Sequence, residues 1–200
     1  MIHPDLELRF INDSIGYGVF AKRFIPAGTI TYVKDSLEIE VTPEDYFRHA
    51  PPMRAIIDKY SYKDERGVKI VSWDIAKFVN HSCNCNTMST GYGFEIAIRD
   101  IQPDEEVTDE YGLFNIEEDM AVDCKDEKCR KFVRKDDIDR YHKEWDRRIQ
   151  KILPRLFVEE QPLMPFVDDH TRNLLADYLK NPVGYRSVLT LKYTPVAIGS

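Results

Sequence analysis

The sequence predicts an α+β fold, in which a mostly β domain of many short strands precedes a helical C-terminal extension. Two observations support this class. In the first half of the chain, short runs of β-branched and aromatic residues alternate with turns rich in Gly, Pro and Asn. Beyond Asp136, apolar residues recur at helical spacing. With 200 residues, the chain is long enough for one principal domain with an appendage.

The first elements are short strands around a glycine-containing segment. Residues 6–11 alternate apolar and polar side chains, as in a strand. Residues 16–21 (GYGVFA) formally fit a dinucleotide-binding fingerprint, but residues 26–28 (PAG) interrupt the chain too soon for the helix that the fingerprint requires. Gly16 and Gly18 are therefore expected in a loop between short strands. They either permit a tight turn or let a ligand lie against bare backbone.

The middle and C-terminal elements follow from capping residues and periodicity. Thr42 and Pro43 predict a helix start, and Ile138, Tyr141 and Trp145 begin a helical stripe that continues to residue 152. These stripes are expected to be packing faces. The remaining predicted elements are a helix over 53–60, strands over 68–73 and 94–99, a helix over 168–180 and a strand over 185–194.

The charge and the cysteine content limit the classes of function that the sequence allows. The net charge of −7 and pI near 5.3 argue against a nucleic-acid binder and favour a basic partner. Between positions 104 and 128 there are eleven acidic residues and only two lysines. This composition predicts either a solvated acidic surface or one that attracts basic peptides. Without a leader or a membrane-length apolar run, the protein is expected to be soluble and intracellular. The four cysteines form two close pairs, which suggests metal ligands or reduced thiols.

Three motifs occur in a specific order: Gly16-Tyr17-Gly18, residues 77–86 (KFVNHSCNCN) and residues 105–112 (EEVTDEYG). With them, the chain resembles a SET-domain protein-lysine methyltransferase over about residues 4–135. Cys124 and Cys129, followed by Arg130, resemble a partial post-SET segment. The resemblance implies a SET domain over 4–113, a post-SET-like flap over 114–135 and a mainly helical extension over 136–200.

The resemblance implies a fold of small antiparallel sheets with a pseudoknot, in which the segment of Asn80 and His81 crosses the segment of Tyr111. It also implies S-adenosylmethionine as the cofactor. The implied cofactor-binding residues are Gly16, Tyr17, Gly18, Asn80, His81, Tyr111 and Phe132, although Phe132 could equally have a packing role. The substrate would be a lysine in a basic segment, such as a histone tail, with no direct nucleic acid or membrane contact.

The chemistry of lysine methylation explains why such a site needs no metal or strong base. The attacking amine must be neutral, and a free lysine has a pKa of about 10.4. Lowering that pKa by about two units corresponds to roughly 2.7 kcal/mol, which burial beside a sulfonium can supply. A narrow aromatic channel then aligns the amine with the methyl group, which favours the transfer further. By resemblance, Tyr111 orients the methyl group and lines the channel, and Tyr60 or Tyr62 forms a second wall.

Two departures from the family pattern are evident. Asp109 stands where the family usually has Phe or Tyr, which leaves the number of methyl groups added undetermined. Val122 stands where the first post-SET cysteine should be, and Cys85 replaces a usual proline. We hypothesise that Cys85 supplies the missing ligand of a tetrahedral zinc site with Cys83, Cys124 and Cys129. The alternative is four reduced cysteines in a packed flap. A catalytically weak or inactive SET module that binds a basic peptide is the alternative function.

Overall fold

The structure is a computed structural model that describes residues 1–124 and 126–195. The last five residues of the predicted extension lie outside this range. The strands are β1 (Leu6–Asn12), β2 (Gly16–Ala21), β3 (Ile30–Val33), β4 (Ile39–Val41), β5 (Ser61–Lys63), β6 (Lys69–Val71), β7 (Asn80–His81), β8 (Thr87–Ser89), β9 (Phe94–Ala97), β10 (Glu106–Asp109), β11 (Met120–Ala121) and β12 (Phe132–Val133). The helices are α1 (Pro43–Arg48), α2 (Pro51–Tyr60), α3 (Asp137–Ile152) and α4 (Asp169–Lys180).

The strands form four small sheets. The largest has the order β1-β2-β10-β7, and its β10–β7 pairing is parallel while the other pairings are antiparallel. Two three-stranded antiparallel sheets have the orders β3-β9-β8 and β4-β6-β5. The hairpin β11-β12 forms the fourth sheet. The predicted α+β class, with small sheets and C-terminal helices, is confirmed.

Helices α1 and α4 begin at residues whose side chains cap them. The Thr42 side chain accepts a hydrogen bond from the Asp45 backbone N–H, and Asp168 caps α4 through the Thr171 N–H. Helix α3 presents Ile138, Trp145 and further apolar residues on one buried face, as its periodicity predicts.

The C-terminal helices share a core with the β domain. One cluster of buried residues joins Met88 and Ile96 of the β domain with Trp145 of α3 and Leu175 of α4. A second, smaller cluster lies between β1, β2 and β10 and includes Val19 and Val107. Residues 137–195 are therefore packed into the main domain.

Three sequence predictions are wrong in detail. Gly16-Tyr17-Gly18 lies at the start of strand β2 and pairs with β1, so this segment is part of a strand and not a loop. Helix α2 begins at Pro51, two residues before the predicted start at residue 53, because the first position of a helix tolerates proline. The predicted strand over 185–194 contains a 3₁₀ turn at Val188–Leu191, whose cap is the Ser187 side chain.

Candidate active site

A parallel crossing of two distant segments forms the centre of the candidate site. Strand β7 pairs with the end of β10, so that Asn80 lies opposite Thr108 and His81 lies opposite Asp109. The crossing brings Tyr111, two residues beyond β10, against the β7 segment. The Tyr111 hydroxyl donates a hydrogen bond of 2.7 Å to the Val79 carbonyl oxygen. The rings of His81 and Tyr111 are 5.4 Å apart between centroids. Asn80, His81 and Tyr111 thus meet, although 30 residues separate His81 from Tyr111.

His81 fixes the backbone at this crossing. Its Nδ1 accepts a hydrogen bond of 3.2 Å from the Tyr111 backbone N–H and lies 3.1 Å from the Asp109 carbonyl oxygen. Burial, together with the nearby Arg130 guanidinium, lowers the pKa of His81 to about 4. The imidazole is therefore neutral at physiological pH, and it acts as a neutral hydrogen-bonding group between two strands.

Asn80 ties the same crossing to strand β2. Its amide nitrogen donates to the Tyr17 carbonyl oxygen at 3.1 Å and to the Glu106 carboxylate at 2.8 Å. Gly18 lies directly beneath, where a Cβ atom would come within 3.0 Å of the Asn80 amide and closer still to Glu106. The nearest atom is Ile11 Cδ1 on β1, at 2.6 Å, and because all three neighbours are ends of side chains, a larger residue here would displace them. At Gly16, by contrast, a Cβ would meet nothing within 4 Å.

An aromatic cavity of about 630 Å³ opens beside Tyr111. Phe114 contacts both Tyr111 and Tyr62 with ring centroids 5.4 Å apart in each case, so the three rings form a continuous wall. Tyr60 also lines the cavity, and its ring contacts Phe78, which contacts Tyr17. Tyr60, Tyr62 and Tyr111 therefore lie around one space, as the resemblance implies.

The acidic segment between residues 104 and 128 is divided between the interior and the surface. Asp109 and Glu110 are fully buried, whereas Glu117 and Glu118 are exposed at the cavity mouth. Burial raises the pKa of Glu110 to about 7, and this shift is opposed by Arg130, whose guanidinium lies 2.6 Å from the Glu110 carboxylate. The predicted acidic surface is thus partly internal.

Two of the four cysteines lie beside His81 in one group of possible metal ligands. His81, Cys83 and Cys124 offer ligand atoms that all lie within 4.8 Å of one another. The Cys129 sulfur is adjacent, because it accepts a hydrogen bond of 3.5 Å from the Cys124 backbone N–H. Cys85 instead lies in the hydrophobic core, fully buried. Burial and nearby carboxylates raise the pKa of the Cys85 thiol, which disfavours the thiolate form that binds metal.

Phe132 does not line the cavity. It lies on β12 with a ring that is 43% exposed, and the Arg134 guanidinium covers one side of that ring. Two residues near the site make contacts that local sequence signals did not indicate. Arg130 bridges Glu110 to the rings of Tyr141 and Trp145 on α3. Glu95 on β9 lines the cavity beside Asp109.

Comparisons with known proteins agree with this architecture. Residues 16–112 match the family model of the SET domain. A search of curated protein sequences finds no match. Among the described residues, no helix has the length and apolarity needed to cross a bilayer.

Similar solved structures include a candidate histone methyltransferase from Plasmodium falciparum, with 20% identity and a TM-score of 0.40, over 55% of this chain and 95% of that one. Another is KRYPTONITE in complex with mCHG DNA and S-adenosylhomocysteine, with 22% identity and a TM-score of 0.44, over 64% of this chain and 28% of that one. A third is KRYPTONITE with mCHH DNA, a histone H3 peptide (residues 1–15) and S-adenosylhomocysteine. It has 20% identity and a TM-score of 0.45, over 66% of this chain and 30% of that one. This chain therefore spans less than a third of the KRYPTONITE chains.

The family match covers all three motifs that meet at the crossing. Residues 16–112, just under half of the chain, are therefore assigned to a SET domain.

Proposed function

We propose that this chain is an S-adenosylmethionine-dependent methyltransferase acting on the lysine amine of a basic protein or peptide segment, such as a histone tail. The supporting observation is the parallel β7–β10 crossing, which sets Tyr111 against Asn80 and His81 at the wall of an aromatic cavity. SET-domain family members are protein-lysine methyltransferases, and one solved complex of KRYPTONITE contains both S-adenosylhomocysteine and a histone H3 peptide.

The residues around the cavity provide positioning and desolvation. Tyr111 commits its hydroxyl hydrogen to the Val79 carbonyl, so the lone pairs of its oxygen remain available to orient an amine N–H or a methyl group. Burial, with the nearby Asp109 and Glu95 carboxyls, raises the pKa of Tyr111, so it stays a neutral phenol. Tyr62 and Phe114 would exclude water from the amine, which lowers the amine pKa and favours its nucleophilic form.

The cofactor would lie against Gly16, Tyr17 and Gly18 and against Asn80 and His81, with Tyr111 and Phe132 as further contacts. The open space beside Gly16 and the half-exposed ring of Tyr17 fit such a ligand. When bound, S-adenosylmethionine supplies the electrophilic methyl group. We further propose the domain limits 4–113, 114–135 and 136–200 for the SET domain, flap and extension.

The cysteine group fits a structural zinc ion. Zinc ligands in a tetrahedral site lie about 2.3 Å from the metal when they are thiolates, so neighbouring ligand atoms are separated by about 3.8 Å. The 4.8 Å limit on the His81, Cys83 and Cys124 atoms requires only small adjustments to reach that spacing. Cys129 is the adjacent donor that would complete four ligands.

The proposed function is tested by incubating the purified chain with methyl-labelled S-adenosylmethionine and a mixture of histones and ribosomal proteins. We expect saturable cofactor binding in a calorimeter and label on lysine side chains by mass spectrometry. Absence of cofactor binding would contradict the proposal.

A second candidate function is a SET module that binds a basic peptide with little or no transfer. Asp109 favours this candidate, because a carboxyl group in the channel stabilises a lysine as its ammonium form. Cofactor binding without label transfer, together with retention of a basic peptide, would support it over the enzyme.

A further inference from the structure

Two acidic side chains lie in the cavity wall, where the mechanism above uses them only to keep Tyr111 neutral. Glu95 on β9 and Asp109 on β10 both line the cavity that Tyr111 lines. Asp109 has no exposed surface, and its Oδ1 accepts a hydrogen bond of 2.6 Å from the Glu110 backbone N–H. Its Oδ2 is buried and receives no hydrogen bond from any donor in the described part of the chain. A buried acceptor without a donor costs stability, so its presence in a cavity wall indicates a ligand.

The two carboxyl groups are neighbours. Each acts on the pKa of the other, and Ser89 on β8 lies close to both. Burial raises the pKa of Asp109 to about 6 and that of Glu95 well above its usual value. Two neighbouring carboxyl groups repel each other when both are ionised, and a cation placed between them would relieve that repulsion.

Among the described residues, no Lys or Arg side chain forms an ion pair with Glu95 or Asp109, although the N-terminal ammonium group, which pairs with Asp35, also lowers the pKa of Glu95. The nearby cations have other partners: Arg130 pairs with Glu110, and Lys63 and Lys69 pair with Glu117 at the cavity mouth. The two carboxyl groups are also close to Tyr111 and Tyr62, because Glu95 and Asp109 contribute to the raised pKa of Tyr111 and Glu95 contributes to that of Tyr62. The aromatic side chains of the cavity could pack against the aliphatic part of a ligand while the two carboxyl groups bind its cationic end.

We propose that Glu95 and Asp109 form an ammonium-binding subsite that holds the head group of the substrate lysine by its N–H bonds. The substrate class rests on the proposed function, but the subsite itself rests on the two acids and the unpartnered oxygen. The subsite would retain the ammonium on entry, and the amine becomes nucleophilic only after it loses a proton. A neutral alcohol of the same length lacks the charge and has one donor instead of three, so the subsite would discriminate against it.

The test uses two small probes that do not depend on the substrate sequence. n-Butylammonium and n-butanol are titrated into the intact chain at constant ionic strength without cofactor, and tyrosine ring resonances are followed by NMR. We expect butylammonium to bind at least tenfold more tightly, a ratio that corresponds to about 1.4 kcal/mol. Equal binding of the two probes, or no saturable binding of either, would overturn the proposal.

Three variants test whether the two buried acids are the residues that bind butylammonium. Asp109→Asn and Glu95→Gln are close to isosteric, and thermal unfolding establishes that each is folded. We expect each variant that folds to lose most of the preference for butylammonium. The matched control is Glu118→Gln, which removes an exposed acid at the mouth of the same cavity and should keep the full preference. An equal loss of preference in the control would show that general charge, and not the buried pair, attracts the cation.

The result can be separated from that of the proposed function, because the titration requires neither cofactor nor turnover. Methyl transfer without a butylammonium preference would overturn only the subsite. A butylammonium preference that depends on Asp109, in a chain that neither binds cofactor nor transfers methyl groups, would overturn only the enzyme.

Discussion

Tyr111 is fixed by contacts on several sides. Its backbone N–H donates to His81, its hydroxyl donates to Val79, and its ring contacts Phe114. A phenol held in this way loses little conformational entropy when a substrate enters, which is the condition for precise alignment. The neutral state of His81 matters equally, since an imidazolium could not accept the Tyr111 N–H at Nδ1.

At the residue scale, the cysteines give the first prediction. We expect Cys124→Ser to lose bound zinc, because it removes a ligand atom from the group with His81 and Cys83. The measurement is the zinc-to-protein ratio in protein purified without added zinc. Cys85→Ala is the matched control, which should retain zinc while losing about 1 kcal/mol of stability through a small core cavity.

Two outcomes would count against this assignment. A zinc-to-protein ratio near zero in the unaltered chain would end the metal hypothesis. Loss of zinc from Cys85→Ala, in protein that remains folded by circular dichroism, would instead favour the four-cysteine set predicted from the sequence.

At the element scale, the chain crossing and helix α3 support each other. Trp145 of α3 packs against Gly112, where a Cβ atom would lie 2.8 Å from the indole Cη2. Gly112 immediately follows Tyr111, so the helix backs the segment that places the phenol. Arg130 lies over the Tyr141 ring, with its Cζ atom 4.9 Å from the centroid, and joins the cysteine-bearing segment to the same helix.

We therefore expect Trp145→Ala to destabilise the protein by about 3–5 kcal/mol, the usual cost of truncating a buried tryptophan. The measurement is urea unfolding, with cofactor binding as a second readout. Val158→Ala serves as the control, because Val158 is 81% exposed and its truncation should change stability by less than about 0.5 kcal/mol. Equal stability of both variants would mean that α3 does not support the domain.

The elements also show what the sequence can predict. Caps and periodic stripes are local signals, and they predicted the helices and the strands β1, β6 and β9. The meeting of Asn80, His81 and Tyr111 was implied by the family resemblance that the three motifs support. Placements decided by distant neighbours were not predictable. Gly16 and Gly18 enter a strand because β1 pairs with them, Cys85 turns into a core completed by the C-terminal helices, and the role of Glu95 depends on Asp109 lying beside it.

At the scale of the whole molecule, the net charge of −7 is distributed unevenly. Some acids of the segment from residue 104 to 128 are internal, and Glu117 at the cavity mouth is paired with Lys63 and Lys69. Glu118 and Asp119 remain exposed beside it. A basic segment approaching the cavity would therefore meet a negative mouth before it meets the buried pair.

This arrangement predicts that salt weakens substrate capture. With the Debye length shrinking from about 30 Å at 0.01 M to about 10 Å at 0.1 M ionic strength, we expect the KM for a basic protein substrate to rise several-fold over that range. The turnover at saturating substrate should change little, because the enclosed site is screened less than the surface. A KM that is indifferent to ionic strength would contradict steering by the exposed acids.

The central claim is that the crossing of β7 and β10 builds a methyl-transfer site around Tyr111, and the most direct test is single-turnover methyl transfer by Tyr111→Phe. We expect the variant to fold and bind S-adenosylmethionine with unchanged affinity, but to transfer methyl groups at least about 100-fold more slowly, a loss of about 2.7 kcal/mol in transition-state stabilisation. Tyr185→Phe, which also removes a phenol hydrogen bond, to Asp146, should retain its rate within about twofold. An undiminished rate in Tyr111→Phe would contradict the account.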